Sequence, residues 1–332
     1  MFVTGGTGFV GGGILAALAN EGRQVRALTR DRTGAQVVAA TGAEPVVGHL
    51  FEPEVLRTGM ADCSTVFHAA GVNAMCLDDP SDMWRVNVGG SLNVLDAASA
   101  AGVRRVVYTS SAATIGEPRG VVATEATVHR GWFLSEYEKS KFEAEKAVSD
   151  RAKVLGVELV VVNPSSVQGP GRTTGSAQLV LAALNARLVP SVDVHVSVVD
   201  IDDCSTAHLL AERSGVDQER YLINGATMVL SEVLQNVRAI TGARHLSVPI
   251  PRALVKGLLP PLRFKERFSR SSTLCAEMLD TVLHGHRFDA KKSEEALGMA
   301  YRPPHQLFGR LIQWYADYGF IQRSLPNVRK SP

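Results

Sequence analysis

Cysteine is scarce in this chain of 332 residues: four in all, Cys63, Cys76, Cys204 and Cys275, widely scattered and without a CxxC pair. That scatter excludes a clustered thiolate metal site and a disulfide-dense scaffold, so a reducing compartment is the simpler expectation and no disulfide is motivated. Net charge is almost absent too, +2 from 35 basic and 33 acidic residues, which removes the electrostatic footprint that nucleic-acid binding requires. No run approaches the eighteen or more apolar residues of a membrane span, and no secretory leader precedes the first apolar segment. The cytoplasm is therefore the expected compartment, although an upstream start is left open by a first strand that begins almost at Met1. The segment 251–270, "PRALVKGLLPPLRFKERFSR", mixes leucines with basic residues, yet Pro260 and Pro261 interrupt a long amphipathic helix. It reads as a lid or wall over a cleft, without stable membrane insertion. Internal repeats and low-complexity segments are missing, and His49, His68 and His129 show no metal-ligand spacing, so no metal is expected.

What is present is the composition of a globular protein, 45% apolar and 20% charged, long enough for one large domain or two sharing a cleft. Short β-branched runs, "FVT", "QVRALT", "EPVV", "STVFHA", "VRRVVYTS" and "VELVVV", alternate with helical patterns over 10–20, 83–101 and 135–155. Strands apolar on both faces and joined by crossover-length segments predict an α/β domain, a doubly wound parallel sheet covered by helices. From Asn163 the character changes to "NPSSVQGPGRTTG", a loop signal. Helices are predicted over 175–186, 204–213, 231–241 and 307–318, with "VDVHVSVVDIDD" bringing the chain back toward the sheet and "RYLING" as a further strand. The predicted division is a dinucleotide-binding domain over 1–165 with return segments within 190–225, a smaller, partly interleaved substrate region over 166–189 and 226–322, and a solvated tail over 323–332.

"VTGGTGFVG" follows the first strand directly and places Gly5, Gly8 and Gly11 at a strand-to-helix turn. Glycine there permits a tight turn and close phosphate approach, and free amides at the helix N-terminus favour negative charge. The next strand ends at Thr29 followed by Arg30, where an acidic residue would accept both ribose hydroxyls of NAD. An arginine can instead fork onto a 2′-phosphate, so NADP(H) is preferred, with NAD(H) admitted if Asp31 turns inward.

"YEKSK" sets Tyr137 and Lys141 one helical turn apart. That spacing alone is weak, since any i, i+4 pair shares a face. Its context is stronger: Tyr137 lies 26 residues beyond Ser111, on the helix after the serine-bearing strand. A cationic lysine would lower the tyrosine pKa, and the serine would hold a developing oxyanion. Ser110 is the competing serine, because adjacent strand residues point to opposite faces.

In order along the chain, "TGGTGFVG", "VFHAAG", "VNVGG" and "YEKSK" resemble the motifs of the extended short-chain dehydrogenase/reductase superfamily, the epimerase/dehydratase-like proteins. "VVYTSSAATIG", "NPSSVQGPG" and "YRP...WYADYGF" are most similar to its dihydroflavonol reductase and 3β-hydroxysteroid dehydrogenase-like branch. The resemblance implies a Rossmann-type fold and catalytic Ser111, Tyr137 and Lys141, with Asn87 in support. It implies cofactor contacts from Gly5, Thr7, Gly8, Phe9, Val10, Gly11, Thr29, Arg30, His49, Leu50, Ala69, Ala70, Lys141 and Pro164. It also implies a homodimer whose seam uses the helices 83–101 and 135–155. One departure is "GHL" at His49, where the family usually has an acidic residue near the adenine. The expected function is carbonyl–alcohol interconversion on a fairly apolar small-molecule substrate. The alternatives are a nucleotide-sugar epimerase or dehydratase, whose diphosphate could meet Arg172, Arg187 or Arg263, and a noncatalytic dinucleotide sensor.

Overall fold

The computed structural model describes residues 1–243, 246–266 and 275–329. Twelve strands run in chain order among them: β1 (Phe2–Thr4), β2 (Arg26–Thr29), β3 (Glu44–Val47), β4 (Thr65–His68), β5 (Arg105–Thr109), β6 (Glu158–Pro164), β7 (Ser166–Gln168), β8 (Leu188–Ser191), β9 (His195–Asp200), β10 (Arg220–Ile223), β11 (Ala226–Val229) and β12 (Leu246–Pro249). Seven of them form one parallel sheet in the order β10-β6-β5-β4-β1-β2-β3. The order reverses between β1 and β4, which opens a crevice at the carboxyl ends of those strands.

Alternation along the strands builds the two faces of the sheet. Val3, Phe67 and Val107 join Ile14, Leu15 and Leu18 of the helix Phe9–Asn20 in one core. Their neighbours Phe2, Val66 and Val106 join Leu56, Met60, Leu95 and Val148 in the other. A third core, with Leu234, Val237, Phe308, Leu311 and Tyr315, belongs to the C-terminal region.

Three expectations change. The segment "VDVHVSVVDIDD" does not rejoin the main sheet: β9 pairs with β7 and β11 in a separate three-stranded sheet. The return is made by the helix Ile201–Ser214, packed on Phe9–Asn20 so closely that a Cβ on Gly13 would stand 2.5 Å from Ser205 Oγ, and then by β10. The helix expected over 83–101 is divided: Ser81–Trp84 leads into a π-helical segment, Arg85–Gly90, before Ser91–Ala100. Such wide turns mark places where a side chain is re-aimed, and here it is Asn87. The expected solvated tail docks up to Arg329, with Leu325 buried and Asn327 N donating to Thr241 O, while 330–332 lie outside the described residues.

The cysteines overturn a fourth expectation. Cys76 and Cys275 form a disulfide across a sequence separation of 199, with Cα atoms 5.6 Å apart. Topology, not spacing, brings the two together, so the linear pattern carried no sign of the bond. Cys63 and Cys204 are free and buried. The segment 251–270, expected as a lid or wall, forms the helices Arg252–Gly257 and Leu259–Glu266, and 267–270 lies outside the described residues.

Candidate active site

The glycine turn sits at the switch point. Gly5 has φ +76° and packs on the chain after β4, where a Cβ would meet Ala70 N at 2.6 Å. A Cβ on Gly11 would meet Gly5 O at 2.1 Å, so glycine is required at both positions. Gly8 caps the helix Phe9–Asn20 without a side-chain hydrogen bond, leaving the first-turn amides free. Val10 packs on the core and Ala69 N donates to Thr4 O, which fixes the two walls of the turn. A dinucleotide pyrophosphate fits this cradle: the space is held open by missing side chains and the available groups are donors.

Beside the turn, Thr29 is buried and Arg30 is exposed at the edge of the crevice. Asp31 is committed elsewhere, accepting from Gly34 N at 2.8 Å as cap of the helix Arg32–Ala40. Thr7 lies against Gly34, where a Cβ would be 3.2 Å from Thr7 Cγ2. His49 is exposed, with its backbone N held by Glu52 Oε2 at 2.9 Å, and Leu50 packs over Gly90 while its carbonyl accepts from Asn93. Pro164 is buried where β6 ends.

The helix Glu136–Leu155 starts at Ser135, whose hydroxyl accepts from Glu138 N, and this cap sets where Tyr137 enters the cleft. Burial raises the Tyr137 pKa above its ordinary value of 10, opposed by a hydrogen bond with Ser111 and by the nearby positive charge of Arg172. Ser111 also caps the short helix Ala112–Ile115, accepting from Ala113 N at 3.2 Å. Lys141 is buried, and its Nζ donates to Thr109 O at 2.9 Å and to Tyr108 Oη at 3.3 Å. Burial pulls its pKa down to about 8, with Glu145 opposing. The groups that draw the tyrosine pKa downward are thus Ser111 and Arg172 rather than the expected Lys141, whose ammonium reaches past to the end of β5.

The two adjacent serines have different surroundings. Ser110 is buried and donates to Glu145, which also accepts from Thr114 and Asn163 and pairs with Arg220. Asn87 ties loop to helix: its Oδ1 accepts from Val72 N at 2.8 Å, while its Nδ2 donates to Val72 O and to Ser140 Oγ. His68 bridges Thr4 and Ser91, and burial holds its pKa down at about 3, so the ring is neutral. Phe142, Ala144 and Val148 of the tyrosine helix pack inside the chain.

Of the three arginines considered for a diphosphate, Arg263 pairs with Asp280 and Arg187 is exposed. Arg172 lies in the cleft, its guanidinium 5.3 Å from the Phe9 ring and its backbone oxygen held by Tyr315 Oη at 2.6 Å. Sequence reasoning missed a second grouping. Glu117, His284 and His286 bring their ligating atoms within 4.8 Å of one another. "HGH" at 284–286 was the available signal, but its carboxylate partner lies far upstream.

Comparison with known proteins agrees with this geometry. The family model for the NAD dependent epimerase/dehydratase family matches residues 1–223. A 4-hydroxy-2-methyl-3-oxo-4-farnesyl-3,4-dihydroquinoline-1-oxide ketoreductase of Stigmatella aurantiaca is 33% identical over 79% of this chain and 84% of its own length. A 3 beta-hydroxysteroid dehydrogenase/Delta 5-->4-isomerase of Mycobacterium tuberculosis is 27% identical over 77% of this chain and 74% of its own. The crystal structure of gox2253 superposes with a TM-score of 0.87 at 28% identity, covering 97% of this chain and 99% of that one.

Proposed function

The chain belongs to the NAD dependent epimerase/dehydratase family, and from that premise we propose that it is an NADP-dependent oxidoreductase that interconverts a carbonyl and a secondary alcohol on a small, fairly apolar molecule. The observation that carries the reading is the Tyr137 phenol set with Ser111 and Arg172 in the cleft beside the glycine cradle, Arg172 itself standing against Phe9 of the turn. The ketoreductase similarity supports it.

Gly5, Gly8 and Gly11 would receive the pyrophosphate, with Thr7, Phe9 and Val10 forming the turn around it. Arg30 would meet the 2′-phosphate, while His49 and Leu50 border the adenine end, Ala69, Ala70 and Pro164 wall the cleft and Lys141 holds the nicotinamide ribose. A bound nicotinamide supplies the hydride chemistry. Tyr137 holds and moves the proton at its Oη. Burial, which raises its pKa, favours the protonated phenol, which suits donation to a forming alkoxide. Ser111 steadies the charge growing on the substrate oxygen. In alcohol oxidation Tyr137 must first lose its proton, so that direction gains rate as pH rises toward the phenol pKa. Asn87 positions the Val72 loop and the helix start and touches no reacting atom.

We further propose a homodimer in the cytoplasm, with the Cys76–Cys275 pair as thiols until oxidised. The test is a panel of ketones, sterols and nucleotide sugars with NADPH. Net NADPH consumption on a ketone is expected. Turnover of a nucleotide sugar without net consumption would replace this reading with an epimerase, for which Arg172 is the available diphosphate partner.

A further inference from the structure

The carboxylate of Glu117 is 1% exposed, and its Oε2 has no hydrogen-bond partner. An unpartnered buried carboxylate oxygen is costly enough to require an explanation. Its other oxygen, Oε1, stands 2.7 Å from His286 Nδ1 and 3.7 Å from His284 Nε2. The backbone carbonyl of Glu117 is a fourth donor, 3.1 Å from His284 Nε2.

Charge gives a second, independent argument. Glu117 and Glu138 are both buried, and the buried guanidinium of Arg130 forms its ion pair with Glu138. Towards Glu117 it offers only a contact to the backbone carbonyl, at 3.3 Å. Among the described residues no guanidinium or ammonium forms an ion pair with the Glu117 carboxylate, whose only charge partners are the two imidazoles.

We propose that Glu117, His284 and His286 bind a divalent transition metal ion of the zinc class, with the Glu117 carbonyl or a water completing the shell. Two imidazoles and a carboxylate are a donor set suited to such an ion. Bonds near 2.0–2.1 Å at tetrahedral angles place neighbouring donors about 3.3 Å apart. The separations of 2.7, 3.1 and 3.7 Å bracket that distance. Loading asks for His284 to carry its proton on Nδ1, which frees Nε2 for the ion.

The position defines the role. Glu117 follows the short helix that Ser111 caps, and His284 ends the helix Ala276–His284. The ion would clamp the loop beyond the oxyanion serine to the wall on the other side of the cleft. It takes no part in hydride or proton transfer, and the proposal stands or falls apart from the oxidoreductase reading. The competing occupant of the same geometry is a proton, giving a His286 imidazolium paired with Glu117.

The test is zinc chloride titrated by calorimetry into the full chain after chelator treatment, with metal content measured after gel filtration and thermal unfolding followed with and without zinc. About one zinc per chain and a raised Tm are expected, together with a loss of affinity of about tenfold or more in His286→Gln and in Glu117→Gln. Circular dichroism checks that both variants fold. Absence of saturable zinc binding by the wild-type chain overturns the proposal without any variant and leaves the imidazolium pair. Binding retained at wild-type affinity in both folded variants overturns it as well, because the ion then sits elsewhere.

Discussion

The cofactor end and the far wall of the cleft are built by different means. At the cofactor end the decisive features are backbone: a parallel sheet, a switch point between β1 and β4, and glycines at which a Cβ would strike the neighbouring chain. At the far wall they are side chains and a covalent bond spanning long stretches of sequence. Glu277 Oε2 accepts from Cys76 N at 3.1 Å, Cys76 is bonded to Cys275, and Glu117 meets His286. A site whose backbone is preorganised needs few side-chain partners to hold it. The C-terminal region has its own apolar core, and these long-range contacts tie it to the domain it faces.

The strongest way to break the comparison is at the reacting pair, which lies between the two regions. Tyr137→Phe removes the transferable proton and keeps the ring, so kcat should fall by about 10²- to 10⁴-fold while NADPH affinity stays within about twofold of wild type. Steady-state turnover and equilibrium titration of NADPH check both halves of that statement. Unchanged turnover would remove Tyr137 as the proton carrier, and no turnover on any substrate by the wild-type chain, with NADPH still bound, would leave the dinucleotide sensor. Next in size is the cross-link. Cys76→Ser should lower stability by about 2 to 4 kcal/mol under oxidising conditions and by almost nothing in the presence of a reductant. Urea unfolding with and without dithiothreitol reads the difference. Equal loss in both conditions would assign the effect to packing of the Cys76 side chain.

The same division explains what could be read from the linear chain. Elements of the cofactor half follow local rules, since "TGGTGFVG" after an apolar run specifies strand, turn and helix within one short window. The strand ends at Thr29 and Thr109 fell close to where those rules place them. The π-helical turn at Asn87 did not, because the hydrophobic period barely changes when one residue is added per turn. β9 was misplaced since an alternating strand reads identically in either sheet. Cys76 with Cys275, and Glu117 with His284 and His286, were invisible because residues distant in sequence meet only through the folded topology. Arg172 was singled out for its charge, but its approach to Phe9 and Tyr137 depends on a loop without a periodic signal.

Arg30 sharpens the comparison from the cofactor side. It is exposed and its neighbour Asp31 is occupied by Gly34 N, so the strand end offers a cation and withholds its carboxylate. Arg30→Ala should cost NADPH about 1.5 to 3 kcal/mol of binding, the scale of a hydrogen bond to a charged group, and leave NADH nearly unaffected. Fluorescence titration of both cofactors separates the outcomes. An equal loss for both would place Arg30 on the pyrophosphate or on the fold.

The smallest expected effect is the acid sensitivity of the sheet domain. His68 and His208 are fully buried in the sheet domain and held neutral by desolvation, with pKa values down at about 3 and about 4, against an ordinary 6.5. Between those limits the unfolded chain binds more protons than the native one. Stability from each ring is therefore complete above about pH 6.5 and is lost as pH falls toward the native value, at up to about 1.4 kcal/mol per pH unit. His208 is the cleaner probe: its Nδ1 donates to Cys204 O and its Nε2 is 2.9 Å from Thr109 Oγ1, beside the end of β5 but outside the reacting pair. His208→Gln should reduce the pH dependence of unfolding free energy between pH 6.5 and 5 by about one proton, even if it lowers stability at every pH. Urea denaturation across that range measures the slope. A slope unchanged by His208→Gln would take His208 out of the acid sensitivity and leave His68 as the sheet-domain ring that carries it.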